Sequence, residues 1–411
     1  MTMNRFLLVM TIIVCVSIST SSYAIPRFAL WKGEANCLSC HTNPTGGGIR
    51  SGGGEAFSKN VLAMWKRGDA FSGQISEGLR FGADIRNQFL SFSQEGPIGQ
   101  PGDTSISNST SHAMTAALML DASLTNALHL YVRYDPVAGF NESYGTLHFV
   151  DESEEIIAAG SVVNNAYLKI GAFLPSFGIR FEDHTLYTRG GNRGIAGFGP
   201  AGSFWVEGYR DVGMEAGATF FDHIGLQVAY LNGNEEHPAA NVSFGGDAAI
   251  SARLTASAEV IEDAFSFEVG GSMYAHTGVA SGKDLSLIGV HVGLRGGPVT
   301  LLAEYDMGEN VYQPYVGDFV PKLNAMTAEL AVRVTQGLDL IGRFETYKDM
   351  DEADNDGNVV DSRITFGAQW FPIRFIEVRP EIRLAKYTGP GTPDRVEFNQ
   401  NMYILQTHLY F

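Results

Sequence analysis

A chain of 411 residues is long enough for two or three ordinary domains, or for one large barrel with an appendage. Aromatic residues make up 11%, glycine occurs 48 times and charged residues account for only 18%, a mixture that favours strands and glycine-rich loops over a soluble helical protein. The formal net charge of -17 argues against a nucleic-acid partner and favours the attraction of cations.

Residues 1–24 have the layout of a secretory signal peptide. Arg5 precedes the apolar run FLLVMTIIVCVSI, and the small residues of SSYA come just before Ile25. This apolar run is too short and wrongly flanked for a membrane-spanning helix. We therefore predict that residues 1–24 are removed on export, which leaves Cys37 and Cys40 as the only cysteines of the mature chain.

The segment 25–71 carries the motif CLSCH at residues 37–41. Two thiols at this spacing reach the two vinyl groups of a c-type haem, and the adjacent histidine supplies the proximal nitrogen. A thioredoxin-like pair would need a βαβ context, and a structural zinc site would need four ligands, neither of which accompanies this motif. We therefore predict one covalent haem c, held by Cys37 and Cys40, with His41 as the proximal ligand of the iron.

The sixth ligand of the iron has two candidates in this sequence. Met64 lies downstream of the motif, and a methionine opposite histidine raises the potential of a haem. Met64 is equally well interpreted as a core residue that packs on the haem or on the barrel wall. His408 is predicted to face the interior of a barrel near its periplasmic rim. An open sixth position is the third alternative.

The haem segment is shorter than most domains that fold unaided. Domains of this size usually need a cofactor, a metal or a partner to complete their core. We expect the haem to supply part of the core of segment 25–71 and the interior of a barrel to supply the rest. The segment is therefore predicted to act as a plug in a barrel too wide to fill itself.

From residue 72 onward the chain has the alternation of β-strands. In FIEVRPEIRLAKY, residues 375–387, Glu381 and Arg383 face one way while Ile382 and Leu384 face the other. Short turns alternate with long polar loops, and no segment offers the roughly 18 apolar residues of a membrane-spanning helix. These features predict an all-β fold for residues 72–411, a transmembrane antiparallel β-barrel of about 16 strands. The strand pattern is unclear from 140 to 162.

The order of these parts resembles that of the fused monohaem cytochrome–porins of iron-oxidising bacteria. The resemblance rests on the signal peptide, IPRFA at 25–29, CLSCH at 37–41 and a barrel that ends in Phe411. It implies an outer-membrane protein whose haem segment lies at the periplasmic side or in the barrel lumen. It also implies outer-membrane lipid, a periplasmic cytochrome and an extracellular electron donor or acceptor such as iron as partners.

Two stretches qualify this resemblance. TNPTGGG follows the haem motif where the iron-oxidising proteins have an aromatic-Pro-x-Leu-Asn stretch, so the identity of the electron donor stays open. The segment 166–189, AYLKIGAFLPSFGIRFEDHTLYTR, resembles anion-selective porins, in which a similar strand leads to a long loop.

Three functions are compatible with this sequence. The favoured one is transfer of electrons across the outer membrane by a cytochrome–porin, an oxidoreductase if it oxidises ferrous iron. The acidic run DMDEADNDG at 349–357 either gathers cations for this purpose or is a solvated loop. The alternative is a transport porin whose haem peptide acts only as a plug or sensor. A haem enzyme such as a peroxidase would need a distal acid–base group, and the plug offers no histidine placed for that role.

Overall fold

A computed structural model describes residues 26–31, 37–66, 72–95, 105–137, 141–150, 162–180, 185–189, 210–221, 223–233, 248–277, 283–313, 318–350, 359–389 and 396–411. The predicted signal peptide, residues 1–24, lies outside these ranges, as do residues 351–357 of the acidic run. Among the described residues no helix is long and apolar enough to cross a membrane.

Within the described ranges the chain forms 17 strands. In chain order they are β1 Gln74–Ser76, β2 Leu79–Glu95, β3 Ser105–Ser123, β4 Leu128–Tyr134, β5 Glu142–Val150, β6 Val163–Phe173, β7 Asp211–Phe220, β8 Ile224–Leu231, β9 Ala249–Ile261, β10 Phe265–His276, β11 Leu285–Gly296, β12 Val299–Gln313, β13 Asp318–Thr335, β14 Leu338–Met350, β15 Val359–Ile373, β16 Ile376–Gly389 and β17 Val396–Tyr410. β1 is a stub of 3 residues that pairs only with β2.

The other strands, β2 to β17, close into a single antiparallel barrel. Each pairs with its neighbour in the chain, and β17 returns to pair with β2 in a register that places His408 opposite Arg86. This confirms the prediction of an antiparallel barrel of 16 strands. The region 140–162, where the sequence pattern is unclear, contains β5.

Alternating side chains divide between the outer surface and the lumen, as the period-two pattern predicts. Ile382 and Leu384 are more than 40% exposed on the outside, whereas Glu381 and Arg383 are buried inside. Charged residues in the lumen form close pairs, because a buried charge is costly unless an opposite charge compensates it. Three of these pairs are Arg383–Glu381 at 2.6 Å, Arg343–Glu329 at 2.7 Å and Arg363–Glu345 at 2.7 Å.

Short turns join the strands at one end of the barrel, which we call the short-turn end. β13 and β14 are joined by residues 336–337, and β15 and β16 by residues 374–375. Gly337 has a φ of +84°, a left-handed conformation that a residue with a Cβ adopts only under strain. Long connections, including the segment between β6 and β7, lie at the opposite end.

The segment ahead of the barrel folds back into the lumen at the short-turn end. We call its described residues, 26–31 and 37–66, the plug. It contains helix α1, Pro26–Ala29, and helix α2, Gly52–Phe57, followed directly by a π-helical turn at Ser58–Leu62. The backbone N–H of Trp65 donates to the carbonyl oxygen of Pro372 at 3.0 Å, which ties the end of the plug to the barrel rim.

Candidate functional site

The haem motif of the plug forms one tight helical turn. The backbone N–H groups of Cys40 and His41 both donate to the carbonyl oxygen of Cys37, at 3.2 Å and 3.0 Å. Neither cysteine forms a disulfide; Cys40 is buried and Cys37 is half-buried. The turn therefore presents two thiols and one imidazole from five consecutive residues.

Helix α2 packs directly on this turn through its glycines. Its N-cap residue, Ser51, donates from its backbone N–H to the carbonyl oxygen of Cys40 at 2.9 Å and from its hydroxyl to that of Ser39 at 2.7 Å. A Cβ at Gly54 would overlap the carbonyl oxygen of Cys40, and one at Gly53 would overlap that of Ser39. The glycine-rich stretch after the motif thus lets helix α2 pack closely on the turn formed by residues 37–41.

We expect Gly54→Ala to loosen the plug while Gly52→Ala leaves it intact. Forcing a methyl group against the backbone of Cys40 costs about 1–3 kcal/mol, as overpacking does elsewhere. A Cβ at Gly52 meets no atom within 4 Å, and alanine favours the helix. Limited trypsin digestion after Arg50 and Lys59 measures the difference. Equal cleavage of the two variants would contradict the close packing of α2 on the motif.

Ion pairs anchor the first part of the plug to one side of the barrel. The guanidinium of Arg27 lies 3.4 Å from Glu329 and 3.4 Å from Asp339, all three buried, and also bonds to Gln369. Next along the chain, the Trp31 ring lies under Arg333, whose guanidinium is 4.1 Å from the ring centroid. These contacts hold α1 against β13, β14 and β15.

Other contacts anchor the plug on the remaining sides of the lumen. The ammonium of Lys169 on β6 donates to the hydroxyl of Thr45 at 3.1 Å. Arg50 lies over the ring of Tyr410 on β17, 4.1 Å from its centroid. The Ser58 hydroxyl donates to the carbonyl oxygen of Arg374 at 2.9 Å. The haem motif is therefore held within the closed barrel rather than outside it.

The charges around Cys37 act in opposite directions on its thiol. Burial raises the pKa of Cys37 above its ordinary value, and Glu268 raises it further, while the cations of Arg253, Arg180 and Lys169 lower it. The net result is a raised pKa, so the docked Cys37 is a neutral thiol near pH 7.

The donor set of the motif fits a c-type haem. Its two thiols, neither of which is in a disulfide, are the groups that form thioethers, and the imidazole that follows them is the usual proximal ligand. Gly46, with a φ of +80°, leaves space beside the first thiol, since an added Cβ there would lie 3.4 Å from the Cys37 sulfur. Within the described part of the chain, no group of three or more His, Cys, Asp or Glu side chains is arranged to hold a metal ion.

The structure places the two candidate sixth ligands at different parts of the rim. Met64 lies against Gly337 of the β13–β14 turn, and its backbone N–H donates to Phe371 at 2.9 Å. His408 faces the lumen, where its two ring nitrogens lie 2.9 Å from Asp84 and 3.2 Å from Glu377. Iron ligation by His408 would require one of these contacts to break. Both residues remain predicted ligands.

A second segment enters the lumen from the long-loop end. We call the connection that follows β6 the third loop; its described residues are 174–180 and 185–189. Arg189 pairs with Glu304 through both guanidinium nitrogens, at 3.0 Å and 3.1 Å. Glu304 also accepts the backbone N–H of Ile179 at 2.8 Å, and the hydroxyl of Tyr187 donates to that of Tyr387 at 3.0 Å. The loop is thus fixed to the inner wall.

No protein-family model matches the sequence, and no curated protein matches it. Among solved structures, OprB of Pseudomonas putida is similar with a TM-score of 0.53 and 11% identity, over 86% of this chain and 99% of that one. The outer membrane channel DcaP of Acinetobacter baumannii is similar with a TM-score of 0.51 and 14% identity, over 83% of this chain and 100% of that one. The chain has the fold of outer-membrane porins.

A porin-fold barrel of this size encloses room for an aqueous channel. Here the plug enters that room at one end and the third loop at the other. They meet where Arg180 of the loop approaches the plug, its guanidinium 3.5 Å from the carbonyl oxygen of Thr45. The sequence did not indicate that Arg180, Arg189 and Glu304 face the lumen. For Glu304, the alternation of polar and apolar residues along β12 could have indicated the lumen side. Arg180 and Arg189 lie in a loop, where no such alternation exists.

Proposed function

We propose that this chain is an outer-membrane cytochrome–porin that carries electrons across the outer membrane through one covalent haem c. The observation that carries the proposal is the Cys37–His41 turn, which belongs to a plug held inside a closed porin-fold barrel by contacts with β6, β13 and β15. Bound haem supplies one-electron chemistry at its iron, tuned by the axial ligands and by burial.

The positions of the short turns and the long loops indicate how the proposed protein is oriented in the membrane. Short turns face the periplasm in bacterial outer-membrane barrels, so the plug would lie at the periplasmic mouth, within reach of a periplasmic cytochrome. The third loop descends from the opposite end toward the plug. An extracellular donor or acceptor such as iron would approach from that side, where Asp349, the first residue of the acidic run, lies near the end of β14.

Difference spectra test the proposal directly. We would compare ascorbate- and dithionite-reduced outer membranes that contain the wild-type chain with membranes that contain Cys37→Ala/Cys40→Ala. A c-type α band present only in the wild type, which changes when ferrous iron is added, is the expected result. Wild-type protein without any haem band, after maturation in a competent host, would rule out the cytochrome.

The outer face of the proposed barrel contacts membrane lipid, so a charged residue placed on that face should destabilise the barrel. Val290, at the middle of β11, is 51% exposed on the outer face. We expect Val290→Arg to destabilise the barrel in lipid vesicles by about 2–4 kcal/mol, because the charge would lie near the bilayer midplane. Val260, beside a turn, is a matched control, since arginine near the interface costs only about 0–1 kcal/mol. Urea unfolding in vesicles measures both, and equal costs would contradict the membrane placement.

The second candidate function is a transport porin in which the plug only blocks or senses. The paired Arg and Glu side chains along the lumen favour this function, because charged side chains of both signs are typical of the lining of a water-filled channel. A substantial solute conductance that is the same with and without haem would support this function over electron transfer.

A further inference from the structure

A group of polar side chains beside the haem motif lacks the partner that buried polar groups normally have. Tyr131 on β4 and Tyr144 on β5 are cross-strand neighbours whose rings stack with centroids 5.0 Å apart. Both rings face the lumen and are buried, and neither phenol oxygen has a hydrogen-bond partner among the described residues. Buried hydroxyls are nearly always bonded, so two adjacent ones indicate a ligand that accepts hydrogen bonds.

Two cations lie near this pair: the ammonium of Lys169 is 5.3 Å from the centroid of the Tyr144 ring, and the charge of Arg180 of the third loop acts on both phenols. Three cations act on Cys37, and two of them have carboxylate partners: Lys169 lies 2.9 Å from Glu215, and Arg253 lies 3.5 Å from Glu268. Arg180 differs, because no carboxylate of the described residues lies within salt-bridge distance of it. Within the described ranges, its guanidinium donates one hydrogen bond, to the carbonyl oxygen of Thr45 at 3.5 Å.

The glycine run of the plug brings these groups together. A Cβ at Gly47 would lie 2.9 Å from the Arg180 guanidinium, and one at Gly48 would overlap the hydroxyl of Tyr131. The charge of Arg180 also acts on both phenol groups. Glu142 is a carboxylate whose charge interacts with that of Arg180, but it lies beyond salt-bridge distance from Arg180 and is engaged by Arg210 at 3.2 Å and by the backbone N–H of Leu174 at 3.2 Å. Among the described residues, no carboxylate is therefore in direct contact with Arg180.

We propose that Arg180, Tyr131 and Tyr144 bind a carboxylate group beside the haem motif. A carboxylate accepts several hydrogen bonds and carries the charge that a guanidinium complements. In the holoprotein its source is a propionate of the haem, which rests on the proposed function; in a transport porin its source is a carboxylate solute. Either way, the third loop contributes a residue to a site that the plug and two strands complete.

The test has one arm for each source of the carboxylate. In the first arm, the midpoint potential of the matured holoprotein is measured for the wild type, for Arg180→Gln and for Tyr131→Phe/Tyr144→Phe. If a propionate is bound, losing its counter-charge leaves more negative charge near the iron and favours the ferric form. We expect the ratio of ferrous to ferric haem at a fixed potential to fall at least tenfold in Arg180→Gln, a shift of about 59 mV. The tyrosine double variant should shift in the same direction.

The second arm uses Cys37→Ala/Cys40→Ala protein, which lacks haem, and sodium propionate as the probe in calorimetric titrations. A solute site would bind propionate and lose at least tenfold in affinity on Arg180→Gln. Lys386→Gln, the loss of an exposed cation, and Tyr403→Phe, the loss of an outward-facing hydroxyl, serve as controls in both arms. A shift only in the first arm assigns the site to haem, and binding only in the second assigns it to a solute.

Absence of both effects would overturn the proposed carboxylate site. That result is distinguishable from failure of the proposed function, which would show as wild-type protein without any haem band. In that case the second arm alone still decides whether the three residues bind a carboxylate.

Discussion

Deletion of residues 26–66 is expected to convert a nearly closed barrel into an open channel, with single-channel conductance rising to the level of 16-stranded porins. The plug lies in the lumen at the short-turn end and contacts β6, β13, β14, β15 and β17. The barrel should survive its removal, because the partners of Arg27 keep other cations. Glu329 retains Arg343 at 2.7 Å, and Asp339 retains Arg333 at 2.7 Å. Planar-bilayer recordings measure the change.

Cys37→Ala/Cys40→Ala is the matched control for this deletion, since it keeps the plug and removes only the thiols. Its conductance should stay as low as that of the wild type. A wild-type conductance already equal to that of the deletion variant would show that the plug does not close the barrel. It would also favour the transport porin over the cytochrome–porin.

Glu304→Gln is expected to release the third loop from the lumen wall. Glu304 holds both guanidinium nitrogens of Arg189 and the backbone N–H of Ile179, and its side chain is fully buried. Removing one partner of a buried pair costs about 3–5 kcal/mol, because the remaining charge is left without compensation. Asp306 lies 3.7 Å from Arg189, so we expect the lower end of that range.

Trypsin digestion of the folded barrel reports this release, because Arg180 and Arg189 become cleavable when the loop leaves the lumen. Glu397→Gln is the control. Glu397 also pairs with a cation, Lys386 at 3.0 Å, but both side chains are exposed, and such pairs contribute little. Resistance of Glu304→Gln equal to that of the control would show that the loop is held by other contacts.

Most of the barrel could be predicted because strand periodicity is a local property. The alternation of Glu381 and Arg383 with Ile382 and Leu384 specifies two faces, and the structure places the charged pair inside. The strand pattern is unclear from 140 to 162, and β5 shows a physical reason for this. In the first half of β5 the lumen side carries Tyr144 and the outward-facing Ser143 and Gly145 are small, so the usual alternation begins only at the outward-facing Leu147 and Phe149.

The sequence predicted only the part of the candidate site that consists of consecutive residues. The Cys37–His41 motif specifies its own chemistry through spacing, and its predicted role as a haem site remains to be tested. The partners of Arg27 and Arg180 are different, because they come from strands and loops far away in the chain. The residues around His408 illustrate the same limit. The alternation of residues along β17 predicts that His408 faces the lumen. Asp84 comes close to His408 only because β17 pairs with β2 when the barrel closes.

The enclosure of the plug has a consequence for how the protein is made. Cys40 is buried in an apolar cluster with Phe28, Phe57 and Phe371. Once the strands have joined around the plug, an enzyme would have poor access to this sulfur. If the chain carries the haem that we propose, we therefore expect the haem to be attached before the barrel closes, and a barrel that assembles too early would stay without haem.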